Sequence, residues 1–255
     1  MLTSTNSQST YSLDDRHFSQ LCELVYTHTG IQLTDAKREL VHRRFSPRLK
    51  KLQLNDFGEY LALVKSGDKD EIVEFSNAIT TNLTSFFREN HHFDFLRDEF
   101  FPMLREKNAL SKKIRIWSAG CSTGPEPYSL AIVLREAIPD IDRWDAKILA
   151  TDLDTNCVAT SAQGNYTQKV VETVSEARLN RWFSQSDNGR EKIYTAKDEL
   201  KSLITFNPLN LLKPFPFKGK FDVIICRNVF IYFDKPTQKT IISKFAAHQE
   251  ANDCL

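Results

Sequence analysis

Several polar residues sit where apolar runs end, and their types would suit a nucleotide-like ligand. In "IRIWSAGCSTGPEPYSL", residues 114–130, an apolar run breaks at Gly120 and Gly124 and restarts at Pro125 as a helix-like segment. Glycines there let a backbone approach a ligand closely. A helix opening near Pro125 would present unpaired N–H groups to it. The loop is neither G-x-G-x-x-G nor a Walker loop, because no lysine follows Gly124. Glu126 at its mouth would repel a diphosphate and suit an amine-bearing or cationic ligand. In "ILATDLD", Asp152 ends an apolar run, the position from which ribose hydroxyls are gripped in nucleotide-binding sheets. Its spacing from Gly120, 32 residues, is longer than the roughly 20 of dinucleotide folds. Asp154 is read as a helix cap. "FDVIICRNVFIYFD" places Arg227 and Asn228 at a third run's end and Tyr232 just beyond. "NAITTNLTSFFREN" interleaves Asn82, Thr84 and Arg88 with apolar residues. Taken singly, each feature has a plain structural reading: a strand-to-helix turn, a core aromatic, a cap on a helix starting near Ser85.

The elements that must position these residues fall into two kinds. From Asp14 to about Leu83 the spacing is helical. Phe18, Leu21, Leu24 and Val25 recur at three and four, with Gly30 where a C-terminal cap belongs. A second helix follows a Thr34-Asp35 cap candidate, then "NDFGEYLALVKSGD" and "KDEIVEFSNAITTNL" supply a third and a fourth. From about Ile114, "IRIWSA", "AKILATD", "LITFNPL" and "FDVIICRN" read as buried parallel strands alternating with helices. The stretch 165–203 is irregular and is read as an insertion of mixed character, with a turn-like cluster in "QSDNGREKIYT". Residues 1–13 are read as a disordered lead-in, 14–83 as an all-α domain and 84–255 as an α/β domain.

The bulk numbers bound what this can be. In 255 residues, 41% hydrophobic and 26% charged, a sizeable core can be buried. A net charge of +1 gives no general affinity for nucleic acid. Five scattered cysteines with no CxxC argue against a disulfide framework, and with the absence of a leader-like start point to a reducing cytoplasm. No apolar run approaches membrane-spanning length. Local charge is concentrated in "DAKRELVHRRFSPRLKK", where seven Lys/Arg face two acids. Lys37, Arg44, Arg48 and Lys51 fall within about 60° on a helical wheel. This arc is either a solvated face or a docking face for an acidic partner. Pro47 is expected to kink the helix or end it near Ser46.

Together, and in this order, "KRELVHRRFSPRLKKL", "NLTSFFRE", "WSAGCSTGPEPYSLA", "ATDLD", "NLL" and "FDVIICRNVFIYFD" resemble the CheR-type chemotaxis receptor methyltransferases, with coverage from about residue 14 to the end. The resemblance implies a Rossmann-like S-adenosylmethionine-dependent domain behind a small all-α domain, with a small β-containing insertion. It implies esterification of glutamate side chains on the cytoplasmic methylation helices of chemoreceptors, leaving S-adenosylhomocysteine. Carried over by motif, the cofactor would contact Asn82, Thr84, Arg88, Glu126, Asp152, Asn210, Leu211, Arg227 and Asn228, and Arg88 and Tyr232 would arrange methyl transfer. Lys37, Arg43, Arg44, Arg48 and Lys51 would face the receptor, and the 165–203 region would correspond to the subdomain that tethers some members to a receptor's C-terminal peptide. The chain is read as a cytoplasmic monomer that neither inserts in membrane nor needs a metal, the adjacent His91 and His92 pointing two ways on a helix. Three departures stand out, the first being that the 165–203 region is short around "SQSDNGREKIY". Pro125 occupies the place of a second acid, leaving Glu126 alone. The chain ends at "HQEANDCL", before the family's closing strands, so an open sheet edge is expected.

Two other functions fit parts of the sequence. "FNPLN", residues 206–210, resembles the Asn-Pro-Pro-aromatic motif of amino-methyltransferases on nucleic acid but lacks the aromatic that stacks a flipped base. A cofactor-binding regulatory module that has lost turnover would keep the same loop and strands.

Overall fold

A computed structural model describes residues 11–187, 189 and 191–254, the last few by backbone alone, in two compact units divided between Thr80 and Thr81. The lead-in read as disordered lies outside the described residues up to position 10. Its end does not behave as expected: the Tyr11 ring meets Phe57 edge-on at 6.5 Å, and Leu13 packs against the helical core. Two apolar side chains within reach of a core are partly buried despite their polar neighbours.

The first unit holds four helices, α1 (Asp15–Thr29), α2 (Arg38–Leu52), α3 (Phe57–Lys65) and α4 (Lys69–Ile79). Aspartates 14, 56 and 68 cap α1, α3 and α4 by accepting the backbone N–H three residues on. Gly30 ends α1 in the left-handed conformation, φ 73°. Thr34 does not cap α2 with its side chain; a single 3₁₀ turn, Asp35–Lys37, leads into that helix instead. The helix also runs straight through Pro47. The proline is exposed and the carbonyl it strands, that of Arg43, belongs to an exposed residue, so water can satisfy it. Val41, Phe45 and Leu49, all fully buried, pin the helix on both sides of the break.

The second unit is built on a five-stranded parallel sheet. Its strands are β1 (Lys113–Ala119), β2 (Asp145–Asp152), β6 (Ile204–Pro208), β7 (Phe221–Ile225) and β8 (Gln249–Cys254), in the order β6-β2-β1-β7-β8. All four strands expected from the sequence are present. The fifth, β8, falls in the tail that the sequence left as an open edge. Alternation along β1 sends Ile114 and Ile116 into one core and Trp117 into another. Trp117 sits among Phe215, Phe217, Phe221 and Phe245, with centroids 4.9–5.4 Å away, and its indole N–H donates to Thr151 Oγ1 at 2.9 Å.

Helices α7 (Pro125–Ala137), α8 (Thr155–Gln163) and α11 (Lys235–Ala247) follow β1, β2 and β7. Before the sheet, α5 (His91–Phe95) and α6 (Phe101–Lys107) are joined by one π turn, Leu96–Phe100. No helix begins at Ser85. Residues 86–90 form turns, and the helix waits until His91, because Phe87 and Glu89 take positive φ values, 51° and 55°, that no α-helix allows. The His91 and His92 rings do not diverge; their centroids lie 4.1 Å apart. The boundary also moves from the expected 83/84 to 80/81. Asn82 belongs to the sheet unit, since its side chain donates to Asp154 Oδ2 at 2.7 Å and its carbonyl accepts from Ser122 Oγ at 3.1 Å.

The irregular stretch becomes a separate antiparallel sheet, β3 (Asn165–Thr167), β4 (Phe183–Asp187) and β5 (Lys192–Ala196), ordered β3-β5-β4, with helix α9 (Glu176–Trp182) before β4. The cluster expected as a turn is the β4–β5 hairpin.

Candidate active site at the carboxyl edge of the sheet

The carboxyl ends of β1, β2 and β7 lie side by side, and the polar residues singled out above converge there. The loop after β1 is tied down first: Gly120 and Cys121 donate their N–H groups to the Thr151 carbonyl at 2.7 and 2.9 Å. Gly120 (φ 85°) and Gly124 (φ 102°) both need the left-handed region. Their missing side chains do not leave room for a ligand, as the sequence suggested. A Cβ on Gly120 would collide with a Val229 methyl, and one on Gly124 would lie 2.5 Å from the Tyr166 hydroxyl. Protein packing demands these glycines.

Asp152 ends β2 facing this loop. One carboxylate oxygen accepts the Ser122 N–H at 2.7 Å and the other the Asp154 N–H at 2.9 Å. Burial pushes its carboxyl up, and these backbone donors hold it down. The Leu153 N–H also bonds this carboxylate, and of its four lone-pair sites one is left to accept a ribose hydroxyl. Asp154 caps α8, accepting from Asn156 and Cys157 at 3.0 and 3.3 Å. Next to Asp152 comes the Asn210-Leu211 pair: Leu209 N–H donates to the Asp152 carbonyl at 2.9 Å, and Asn210 Oδ1 accepts from Leu212 N at 2.9 Å. The Leu211 side chain is buried in the Trp117 cluster, so only its backbone can serve a ligand.

Glu126 in the first turn of α7 makes the second cluster. It accepts from Ser118 Oγ at 2.7 Å and lies 3.5 Å from Arg227 Nη1. Burial drives its carboxyl up to about 7, against the pull of the Ser118 hydroxyl and Arg227. Arg227 extends from the end of β7. Its Nη2 donates to the Arg88 carbonyl and to Glu89 Oε2 at 3.2 Å, and Asn228 Nδ2 donates to Glu89 Oε1 at 3.3 Å. Arg227 Nε is buried with no hydrogen-bond partner among the described residues. Arg88 is 37% exposed and donates to the Leu83 carbonyl at 3.0 Å. Thr84 is half-buried in the same segment.

Of the expected site residues, the structure gathers Asn82, Asp152 and Asn210 round the β2 end, and Arg88, Glu126, Arg227 and Asn228 round the β7 end. Tyr232 lies in a 3₁₀ turn, Phe230–Tyr232, half-exposed and outside both networks among the described residues. Ser118, Ser122 and Glu89 were missed. The signal for Glu89 was its place beside Arg88. Ser118 and Ser122 looked like spacers.

The basic arc of α2 needs one correction. Arg48 does not face solvent: its side chain is 14% exposed and its guanidinium forks onto Glu71, itself 4% exposed, and reaches Glu74 at 3.3 Å. Arg43 and Lys51 are exposed and Arg44 half-exposed, while Lys37 lies in the turn before the helix.

This donor and acceptor set fits S-adenosylmethionine. Asp152 offers an acceptor for ribose, Glu126 an anionic group for an amine, and Arg227 Nε an unpaired buried donor for a carboxylate.

Comparison with known proteins shows the family. Residues 82–255 match the SAM-binding domain model of the CheR methyltransferases, and residues 16–80 match the all-alpha domain model of the same family. A probable chemotaxis protein methyltransferase of Rhizobium etli is 45% identical over 88% of this chain and 84% of its own length. The chemotaxis protein methyltransferases of Salmonella typhimurium and Escherichia coli are each 40% identical over 92% of the chain, and over 79% and 80% of their own lengths.

Proposed function

The chain belongs to the CheR methyltransferase family, and from that premise we propose how its residues divide the work. It is an S-adenosylmethionine-dependent chemotaxis protein methyltransferase acting on chemoreceptors. The acceptors are glutamate side chains on the receptors' cytoplasmic helices, and the product is a methyl ester. The observation that carries this assignment is the pairing of a buried acid, Glu126, with a buried arginine donor that has no partner among the described residues, Arg227 Nε, one strand from Asp152.

S-adenosylmethionine, when bound, supplies a methyl group on a cationic sulfur. Asn82, Thr84, Asp152, Glu126, Asn210, the Leu211 backbone, Arg227 and Asn228 hold it. An acceptor glutamate has an ordinary pKa near 4.3 and is ionised at neutral pH, so no residue here has to remove a proton. The rim excludes water and aligns the acceptor oxygen. Alignment can contribute several kcal/mol, up to roughly 7–11. Arg88 does this as a half-exposed cation already engaged with the Leu83 carbonyl, which limits it to orienting the carboxylate. A full bidentate pair would damp the nucleophile. The Tyr232 hydroxyl is the second aligner. The exposed cations of α2, Arg43, Arg44 and Lys51, meet the acidic receptor helix. The small antiparallel sheet is the candidate contact for a receptor's C-terminal peptide. No helix among the described residues is long and apolar enough to cross a membrane, and the reading places the chain in the cytoplasm as a monomer.

The test is incubation with methyl-labelled S-adenosylmethionine and receptor cytoplasmic fragments. Label released as methanol by mild alkali is the expected result. Cofactor binding without alkali-labile label would leave a regulatory module, and label on RNA or DNA would reassign the substrate.

A further inference from the structure

The turn that carries Arg88 is held in a conformation its own residues disfavour. Phe87 and Glu89 are L-residues at φ 51° and 55°. Such conformations persist where surrounding structure over-determines them. The Phe87 N–H donates to Ser129 Oγ of α7 at 3.1 Å, and further contacts to the first half of this turn come from the insertion between β2 and β6. Thr173 Oγ1 donates to the Phe86 carbonyl at 2.8 Å. The Arg178 guanidinium lies over the Phe87 ring, 4.2 Å from its centroid, held there by two bonds to Glu136 at 2.9 and 2.7 Å. Tyr166 and Phe183 meet the Phe86 ring edge-on at 4.9 and 5.5 Å.

The same insertion also grips the opposite wall of the site. The Tyr166 hydroxyl donates to the Thr123 carbonyl in the glycine loop at 3.1 Å. One segment, residues 166–183, therefore touches both the turn beside Arg88 and the loop beside Glu126.

We propose that this insertion is a positioning element for methyl transfer, with Thr173 and Arg178 as positioning residues that fix the Arg88 turn and Tyr166 as the residue that fixes the glycine loop. The proposal rests on Arg88 arranging the acceptor. Thr173 is exposed, so its replacement should hardly disturb folding, yet its hydroxyl is the insertion's hydrogen bond to the backbone of the strained turn. Loss of that bond lets the turn relax and shifts Arg88. Small misplacements of an aligning group have large kinetic effects.

The experiment measures kcat, KM for receptor fragment, and S-adenosylhomocysteine Kd for the full chain and four variants. Thr173→Val should lower kcat about tenfold with Kd and Tm near wild type, and Thr173→Ser should restore it. Tyr166→Phe keeps the ring and should instead raise Kd several-fold. Arg88→Ala separates the two readings. If it lowers kcat and Thr173→Val does not, the positioning proposal fails while the role of Arg88 stands. If Arg88→Ala itself keeps wild-type kcat, the role of Arg88 fails first. A kcat loss in Thr173→Val that serine does not rescue, or one matched by a fall in Tm, overturns the proposal as well.

Discussion

Replacing Glu126 with Gln should make the sheet unit more stable, and increasingly so as pH rises. The buried Glu126 carboxyl titrates at about 7 in the folded chain, against 4.5 for an ordinary glutamate. That is about 2.5 pH units, worth about 3 kcal/mol at 1.36 kcal/mol per unit. The sign follows from linkage. A folded-state carboxyl that holds its proton more tightly contributes stability that is fully present below 4.5 and is lost as pH climbs through 7. At pH 5 little of the loss has occurred, and at pH 8 nearly all has, so this one group costs about 2.5 kcal/mol between the two. Glutamine cannot ionise and shows none of it, and other titrating groups, Asp152 included, are common to both proteins. The three tryptophans, Trp117, Trp144 and Trp182, all lie beyond Thr80, so urea unfolding followed by indole fluorescence reports on this unit alone. The expected result is a variant that gains about 2 kcal/mol or more on wild type between pH 5 and pH 8. Parallel pH profiles would refute the reasoning, because Glu126 would then ionise as freely folded as unfolded. The same acid predicts that cofactor affinity in the wild type falls as pH drops below about 7, since the ionised form is the one that receives an amine, and that this dependence vanishes in Glu126→Gln.

Asp152→Ala should weaken S-adenosylhomocysteine binding by about 1–3 kcal/mol by calorimetry; unchanged affinity would remove Asp152 from the site. Arg48→Ala should destabilise the helical unit by about 3–5 kcal/mol, because it strands the buried Glu71 carboxylate; a midpoint by circular dichroism equal to wild type would contradict the pairing. Reversing Arg43 and Arg44 to Glu should impair receptor methylation and leave cofactor affinity unchanged, and methylation at the wild-type rate would end the docking idea. Gly120→Ala should cost more than about 1 kcal/mol, since its Cβ meets Val229 at a positive φ; an unaltered denaturation midpoint would say the loop can move aside.

What could be read from the chain beforehand was what depends on neighbours in sequence. Apolar runs ending in Gly120, Asp152 and Arg227 give the strands and the ligand edge, because a parallel sheet presents its loops at one side. Gly30 lies where a C-terminal cap belongs, and it is one. The missed features depend on partners far along the chain. Arg48 sits on a basic arc by its helical angle, yet its partner Glu71 is 23 residues away and pulls it inward. Gly120 looked like room for a ligand because Val229, 109 positions later, is invisible to local reading. Glu89 gained its place only when folding brought Arg227 and Asn228 across from β7. Pro47 misled because propensity was weighed without the buried Val41, Phe45 and Leu49, which hold the helix on either side.

The most direct measurement is a crystal structure of the chain with S-adenosylhomocysteine. The account predicts a ribose hydroxyl on Asp152, and the ligand's amino-acid end between Glu126 and Arg227 Nε. A ligand bound away from the ends of β1, β2 and β7, with Asp152 still turned only to Ser122, Leu153 and Asp154, would contradict it.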